Sequence, residues 1–186
     1  MGNLINVREY IEQQGFQKEE KFVKLSGSQI PGVVLIEGEA FLTPYVPEVN
    51  SLFHSGFFVG FNPDFDNLKN LRKGYFGNST GYTYLSSDTK IRTPIDSVDI
   101  YLKIDYSKLG QQLYRDPEMF LERYHHEWDR SFMMDGAIPK SAIVEISFPE
   151  HIRLIQELRR DGDTLLNLDE YFERIKLLRK EFQALF

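Results

Sequence analysis

The chain has 186 residues, 41% of them apolar, a formal charge of −6 and no cysteine. That length suits one domain with a sizeable core, and the missing thiol excludes disulfides, thiolate metal sites and cysteine nucleophiles. The acidic balance speaks against a surface that coats nucleic acid, though not against a local basic patch. Fifteen Phe and ten Tyr predict aromatic-rich packing. No apolar run is long enough to span a bilayer. The opening "MGNLINVREYIEQQ" has neither the basic start nor the apolar stretch of a signal peptide, and Asn6 stands where myristoylation wants Ser or Thr. The expected location is therefore a reducing compartment such as a cytosol, or passage through more than one compartment, without membrane insertion.

In chain order, residues 6–15 predict a short helix. Asn6 and Glu9 form a capping box, Ile5 is placed to staple, Val7, Tyr10 and Ile11 share a face, and Gly15 stops the helix. "KFVKLSG" and "GVVLIEGEAFLT" predict strands, "TPYVPEV" a Pro-braced connector, and "SLFHSGFFVGF" a strand with His54 in it. "NPDFDNLKNLRKG" predicts a second helix, capped by Asp64, with Phe65, Leu68 and Leu71 on one face and Gly74 at its end. "GYFGNSTG" reads as a glycine-bearing loop. "YTYLSS" and "VDIYLKIDY" predict strands.

Asp116-Pro117 predicts the start of a helix reaching about Trp128, buried along Phe120, Leu121, Tyr124 and Trp128. "SAIVEISF" predicts a core strand. Two helices complete the chain. The last is capped by Asn167 with Glu170 and turns Tyr171, Phe172, Ile175, Leu178 and Phe182 inward. Strands in the middle, helices between and after them, and no regular βαβ alternation predict an α+β fold.

Several residues invite a chemical reading. Tyr82, Tyr84 and Ser86 alternate on one strand, so all three face the same side. The competing view is a half-buried edge strand with two aromatic packers. His54 stands among Phe53, Phe57 and Phe58, where a histidine is commonly a satisfied core residue. Gly56, just after it, would let backbone approach a ligand. Glu127 falls in the last turn of the predicted 117–128 helix, where an exposed Glu is common. Glu145 suits the solvent side of a one-sided strand. His125 and Asp129 are four apart, but no third ligand lies nearby, so no metal is expected. The phosphate-binding, dinucleotide and serine-elbow fingerprints are all missing.

Taken in order over residues 51–150, these pieces resemble an ADP-ribosyltransferase. "LFHSG" is similar to the family's first motif, a strand with His followed by small residues. "DNLKNLRKG" looks like the helix after it. "GYTYLSSD" resembles the second motif, an aromatic and Ser/Thr on a strand, and "VDIYLKIDYSKL" the hydrophobic strand that ends in an acidic turn. "HEWDRSFMMDGAIPKSAIVEI" looks like the segment with the catalytic Glu, a turn with Pro and a final core strand. The His-first order with a strand Tyr is closest to the diphtheria-toxin and poly-ADP-ribosylating branch, while Ser86-Ser87 leans toward the Arg-Ser-Glu branch.

The resemblance implies a single α+β domain: an N-terminal helix and strands (1–45), a catalytic core (46–150) and C-terminal helices (151–186). Its sheet would be split and twisted around an NAD cleft. It implies NAD as substrate and a protein or nucleic acid as acceptor, in the manner of a toxin or effector. Glu127 and Asp129 would be the catalytic carboxylates. His54, Ser55, Gly56, Tyr82, Tyr84 and Ser86 would hold NAD. The chemistry suits these residue types. Nicotinamide departs through an oxocarbenium-like ribose, which a carboxylate stabilises, and a flat cationic ring favours an aromatic face. Two rivals stand beside it: a non-enzymatic protein-binding module, and an enzyme that uses NAD to remove a 2′-phosphate from RNA.

Overall fold

Helix α1, Val7–Gln13, begins as its sequence predicts. Asn6 is extended, and its side-chain oxygen accepts the backbone N–H groups of Arg8 and Glu9. The computed structural model describes residues 3–15, 32–47, 56–61, 64–87, 100–117, 131–148 and 168–186. Val7, Tyr10 and Ile11 are buried along one side of α1. Strand β1, Ile5–Asn6, leads into the helix and pairs with β3, Glu39–Leu42, whose other neighbour is β2, Val33–Ile36. Between β2 and β3, Glu37 and Gly38 both have positive φ, 52° and 85°. Two such residues twist a tight turn to match its strands, which explains why "GVVLIEGEAFLT" is a hairpin and not a single strand.

The largest element is a six-stranded antiparallel sheet in the order β11-β7-β4-β6-β9-β8. Its strands are β4, Phe57–Phe61; β6, Tyr82–Ser86; β7, Ile100–Ile104; β8, Leu113–Arg115; β9, Ser131–Asp135; and β11, Ile143–Ser147. Two further segments, β5 (Tyr75–Phe76) and β10 (Ile138–Pro139), pair with each other. The architecture is α+β, with antiparallel pairing among the described residues. Among the described residues no helix is long and apolar enough to cross a membrane.

Alternation sends each strand's side chains to two faces. One face buries Phe57, Val59, Leu85, Leu102, Phe132 and Met134 against α2 (Phe65–Arg72) and α3 (Leu168–Gln183), which contribute Leu68, Leu71, Leu178 and Phe182. On the other face, Met133 and Tyr114 pack with Val7, Tyr10 and Ile11 of α1 and with Leu42 of β3, and half-buried Tyr82 joins them. Helix α1 thus covers only part of that face.

Four expectations need correction. Phe65 does not join the buried stripe of α2. It is 58% exposed at the first helical position, because the helix packs through Leu68 and Leu71. "GYFGNSTG" is not all loop, since Tyr75–Phe76 forms β5 through a partner more than sixty residues away, beyond the reach of local periodicity. β6 is an interior strand between β4 and β9, not an edge. β11 is the sheet's edge, not a core strand. A register shift between Ile143 and Glu145 leaves Val144 49% exposed while Ile143 stays buried. Glu145 takes the expected solvent side. The predicted helix after Asp116 enters the described residues only at Pro117, which is helical; the remainder lies outside them, as do "KFVKLSG", Asn167 and the first of the two C-terminal helices.

Candidate functional site

Among the described residues, the candidates Gly56, Tyr82, Tyr84 and Ser86 lie on the face of the large sheet that α1 partly covers. Tyr82, Tyr84 and Ser86 share it, as alternation requires. Tyr82 packs edge-on against Tyr10, with ring centroids 5.2 Å apart at 70°. Its neighbour two residues on stands at the margin of the covered zone. The Tyr84 hydroxyl is 2.7 Å from that of Tyr10, and the residue is 37% exposed. The strand therefore splits its aromatic pair. Tyr82 closes the interface with α1, and Tyr84 faces the open part of the sheet.

Register then draws a row across five strands. Glu145 opposes Lys103, Lys103 opposes Phe58, Phe58 opposes Ser86, and Ser86 opposes Ser131. The last member donates its hydroxyl to the Oδ2 of Asp116 at 3.0 Å, while the Asp116 N–H donates to the Ser131 carbonyl at 3.1 Å. Asp116 is 4% exposed, a buried carboxylate at the end of the row. Gly56 precedes β4 with φ +122°, and a Cβ built there would sit 3.7 Å from Cε of Lys103 and 3.8 Å from the Phe58 ring. Gly56, Tyr84 and Ser86 thus share one face, on which Tyr84 is exposed, Gly56 and Ser86 are half-buried and Phe58 is buried.

This face carries three carboxylates, Asp135, Glu145 and the buried Asp116, and the Lys103 ammonium. Burial first, and then the Asp135 carboxylate, pushes the phenols of Tyr82 and Tyr114 above their ordinary value. Both stay neutral through the physiological range. Lys103 and Glu145 face each other at 3.8 Å, with side chains 42% and 62% exposed.

Of the remaining candidates, His54, Ser55, Glu127 and Asp129 lie outside the described residues. In the sequence, Glu127 and Asp129 fall between Pro117 and Ser131. Asp116, Ser131, Lys103 and Tyr10 carry no signal of a functional site in the sequence. Asp116 was legible only as a helix start before proline, and Lys103 only as the polar side of an alternating strand. Their meeting in one row depends on strand order. Among the described residues no group of three or more His, Cys, Asp or Glu is placed to hold a metal ion.

In chemical terms the row offers an ammonium, an apolar floor at Phe58, two hydroxyls and a buried acid, with the Tyr84 ring beside it. Such a surface can hold a ligand that is anionic at one end, hydroxylated in the middle and flat at the other. No family model, curated protein or solved structure matches the chain.

Proposed function

We propose that the protein transfers ADP-ribose from NAD to a protein or nucleic-acid acceptor, on the face of the six-stranded sheet that carries Tyr84. One observation carries the reading. The three strands next to the candidate motifs, β4 after His54-Ser55-Gly56, β6 with Tyr84 and Ser86, and β9 after Glu127 and Asp129, are consecutive neighbours in the sheet. Three strands far apart in the chain are thereby neighbours, an arrangement that supports binding of one small substrate across them.

In this reading Tyr84 stacks on the nicotinamide ring, whose positive charge favours an aromatic face. Ser86 and Ser131 offer hydroxyls to the ribose. Glu127, with Asp129 as helper, stabilises the positive charge that develops as the bond to nicotinamide breaks. The bound acceptor then takes the ribose carbon and gives up its proton to a carboxylate.

The test is incubation with labelled NAD, followed by measurement of nicotinamide release and transfer of label. Glu127→Gln keeps the shape and removes the charge, so kcat should fall about a hundredfold or more, on the order of 2.7 kcal/mol. Normal turnover in Glu127→Gln with a collapse in Asp129→Asn would move the catalytic role to Asp129. Absence of turnover in the unmutated protein, over a range of acceptors, would overturn the reading.

A second reading, a protein-binding module, is favoured by β2. Its Val34, Leu35 and Ile36 are 39%, 51% and 44% exposed, a run of apolar side chains without a charge. Inertness toward NAD, beside tight binding of a partner that Leu35→Glu abolishes, would support that reading instead.

A further inference from the structure

We infer that Lys103 is the pyrophosphate contact of this face, the residue by which it selects a dinucleotide over a nucleoside; the inference rests on the reading just proposed. The described strands of the large sheet contain two cations, Lys103 and Arg115. Arg115 alternates with Tyr114, and so belongs to the opposite face. There its guanidinium lies over the rings of Tyr45 and Phe132, at 5.2 and 5.8 Å from their centroids. Among these strand residues Lys103 is therefore the one cation on the Tyr84 face. On a chain of charge −6, a ligand with two phosphates needs such a local positive charge to overcome the general repulsion.

Position and surroundings agree with that role. Lys103 lies in the same row as Ser86, two strand spacings away, or about 10 Å. In a dinucleotide the pyrophosphate follows the nicotinamide ribose directly. With a ring on Tyr84 and a ribose near Ser86, phosphates that run across β4 toward β7 come within reach of the Lys103 stem. The present partner of Lys103 is weak. Glu145 stands 3.8 Å away, beyond the about 2.7–2.9 Å of a charge-assisted hydrogen bond, and both groups are well solvated. Gly56 adds no side chain to this space. Its missing Cβ would lie against Cε of Lys103 and the Phe58 ring, and any longer side chain there would crowd the same space.

The experiment compares the unmutated chain with Lys103→Gln, Lys103→Arg, Glu145→Gln and the double variant Lys103→Gln/Glu145→Gln. Each is assayed for NAD cleavage and for binding of NAD and of nicotinamide riboside, which has the ring and sugar but no phosphate. Lys103→Gln should raise KM for NAD about tenfold, leave kcat within about twofold and leave riboside binding unchanged. Lys103→Arg keeps the charge and should keep KM within about threefold. Glu145→Gln should lower KM a few-fold, and only while Lys103 is present, because its effect is the release of the ammonium. An unmutated enzyme that cleaves NAD, beside a Lys103→Gln variant of unchanged KM, overturns the assignment of Lys103 alone. So does an equal loss of riboside binding. An unmutated chain that neither binds nor cleaves NAD overturns both the assignment and the function beneath it.

Discussion

Tyr84 carries two duties on one side chain. Its hydroxyl is tied to Tyr10 at 2.7 Å, and its ring faces the open sheet. Truncation to Ala would remove both, so a loss of NAD binding in Tyr84→Ala would not separate ligand contact from packing. Phenylalanine separates them. Tyr10→Phe and Tyr84→Phe should each cost about 1 kcal/mol in urea unfolding, and the double variant about as much as either single, because the bond they share is one bond. Additive losses would show that the hydroxyls act apart. If the ring is what stacks on nicotinamide, Tyr84→Phe keeps NAD binding. The neighbouring phenols give a pH prediction. The folded state holds the protons of Tyr82 and Tyr114 more tightly than the unfolded chain does, so their contribution is fully present below the ordinary value of 10.0. It is lost as pH rises through the raised folded values. Asp135→Asn removes the carboxylate that adds to burial, and should move both phenolate midpoints down in ultraviolet titration. Unchanged midpoints would assign the whole rise to burial.

Among the elements, those with local signals were the legible ones. Asn6 and Asp64 cap α1 and α2 as their sequence positions predict, and the end of α1 is marked by Gly15 at φ +72°. The turn into β6 is different. Gly77 has φ +90°, and a Cβ there would fall 2.4 Å from Oγ1 of Thr83, the same hydroxyl that accepts the Asn78 N–H at 3.0 Å. Gly77→Ala should therefore cost about 3 kcal/mol, through both strain and overlap, and should disturb the strand that holds Tyr84. Gly15→Ala, with nothing within 4 Å of its Cβ, should cost about 1 kcal/mol from backbone conformation alone. Equal losses in thermal unfolding would mean that the overlap at Gly77 relaxes away. In the sequence Gly77 is one of several glycines in "GYFGNSTG"; only the fold singles it out.

At the scale of the molecule, α3 joins the end of the described chain to its middle. Phe182 is fully buried, and its ring meets Phe61 of β4 at 5.5 Å between centroids, while Arg72 of α2 pairs with Glu181 at 2.6 Å. The first contact is apolar and mostly buried, the second half exposed. Phe182→Ala should cost about 3–5 kcal/mol, and Glu181→Gln less than about 1 kcal/mol. Calorimetry that ranked them the other way would place the weight of α3 on its charges. Because α3 packs behind β4, loss of Phe182 should also weaken the sheet from the side opposite Tyr84.

By itself the sequence determined whatever is settled within a turn of helix or a single strand. This covers the α+β class, the caps of α1 and α2, the shared face of Tyr82, Tyr84 and Ser86, and the inward side of Leu178 and Phe182. Those features depend on neighbours a few residues away, and periodicity records them. Tertiary structure decided which strands lie side by side. That choice made β6 interior, left β11 at the edge with Val144 outside, and placed Lys103, Phe58, Ser86 and Ser131 in one row ending at the buried Asp116. Strand order minimises the free energy of the whole sheet and of the helices that cover it. It rests on apolar area buried between segments far apart in the chain, and no local pattern in "VDIYLKIDY" or "YTYLSS" encodes its neighbour.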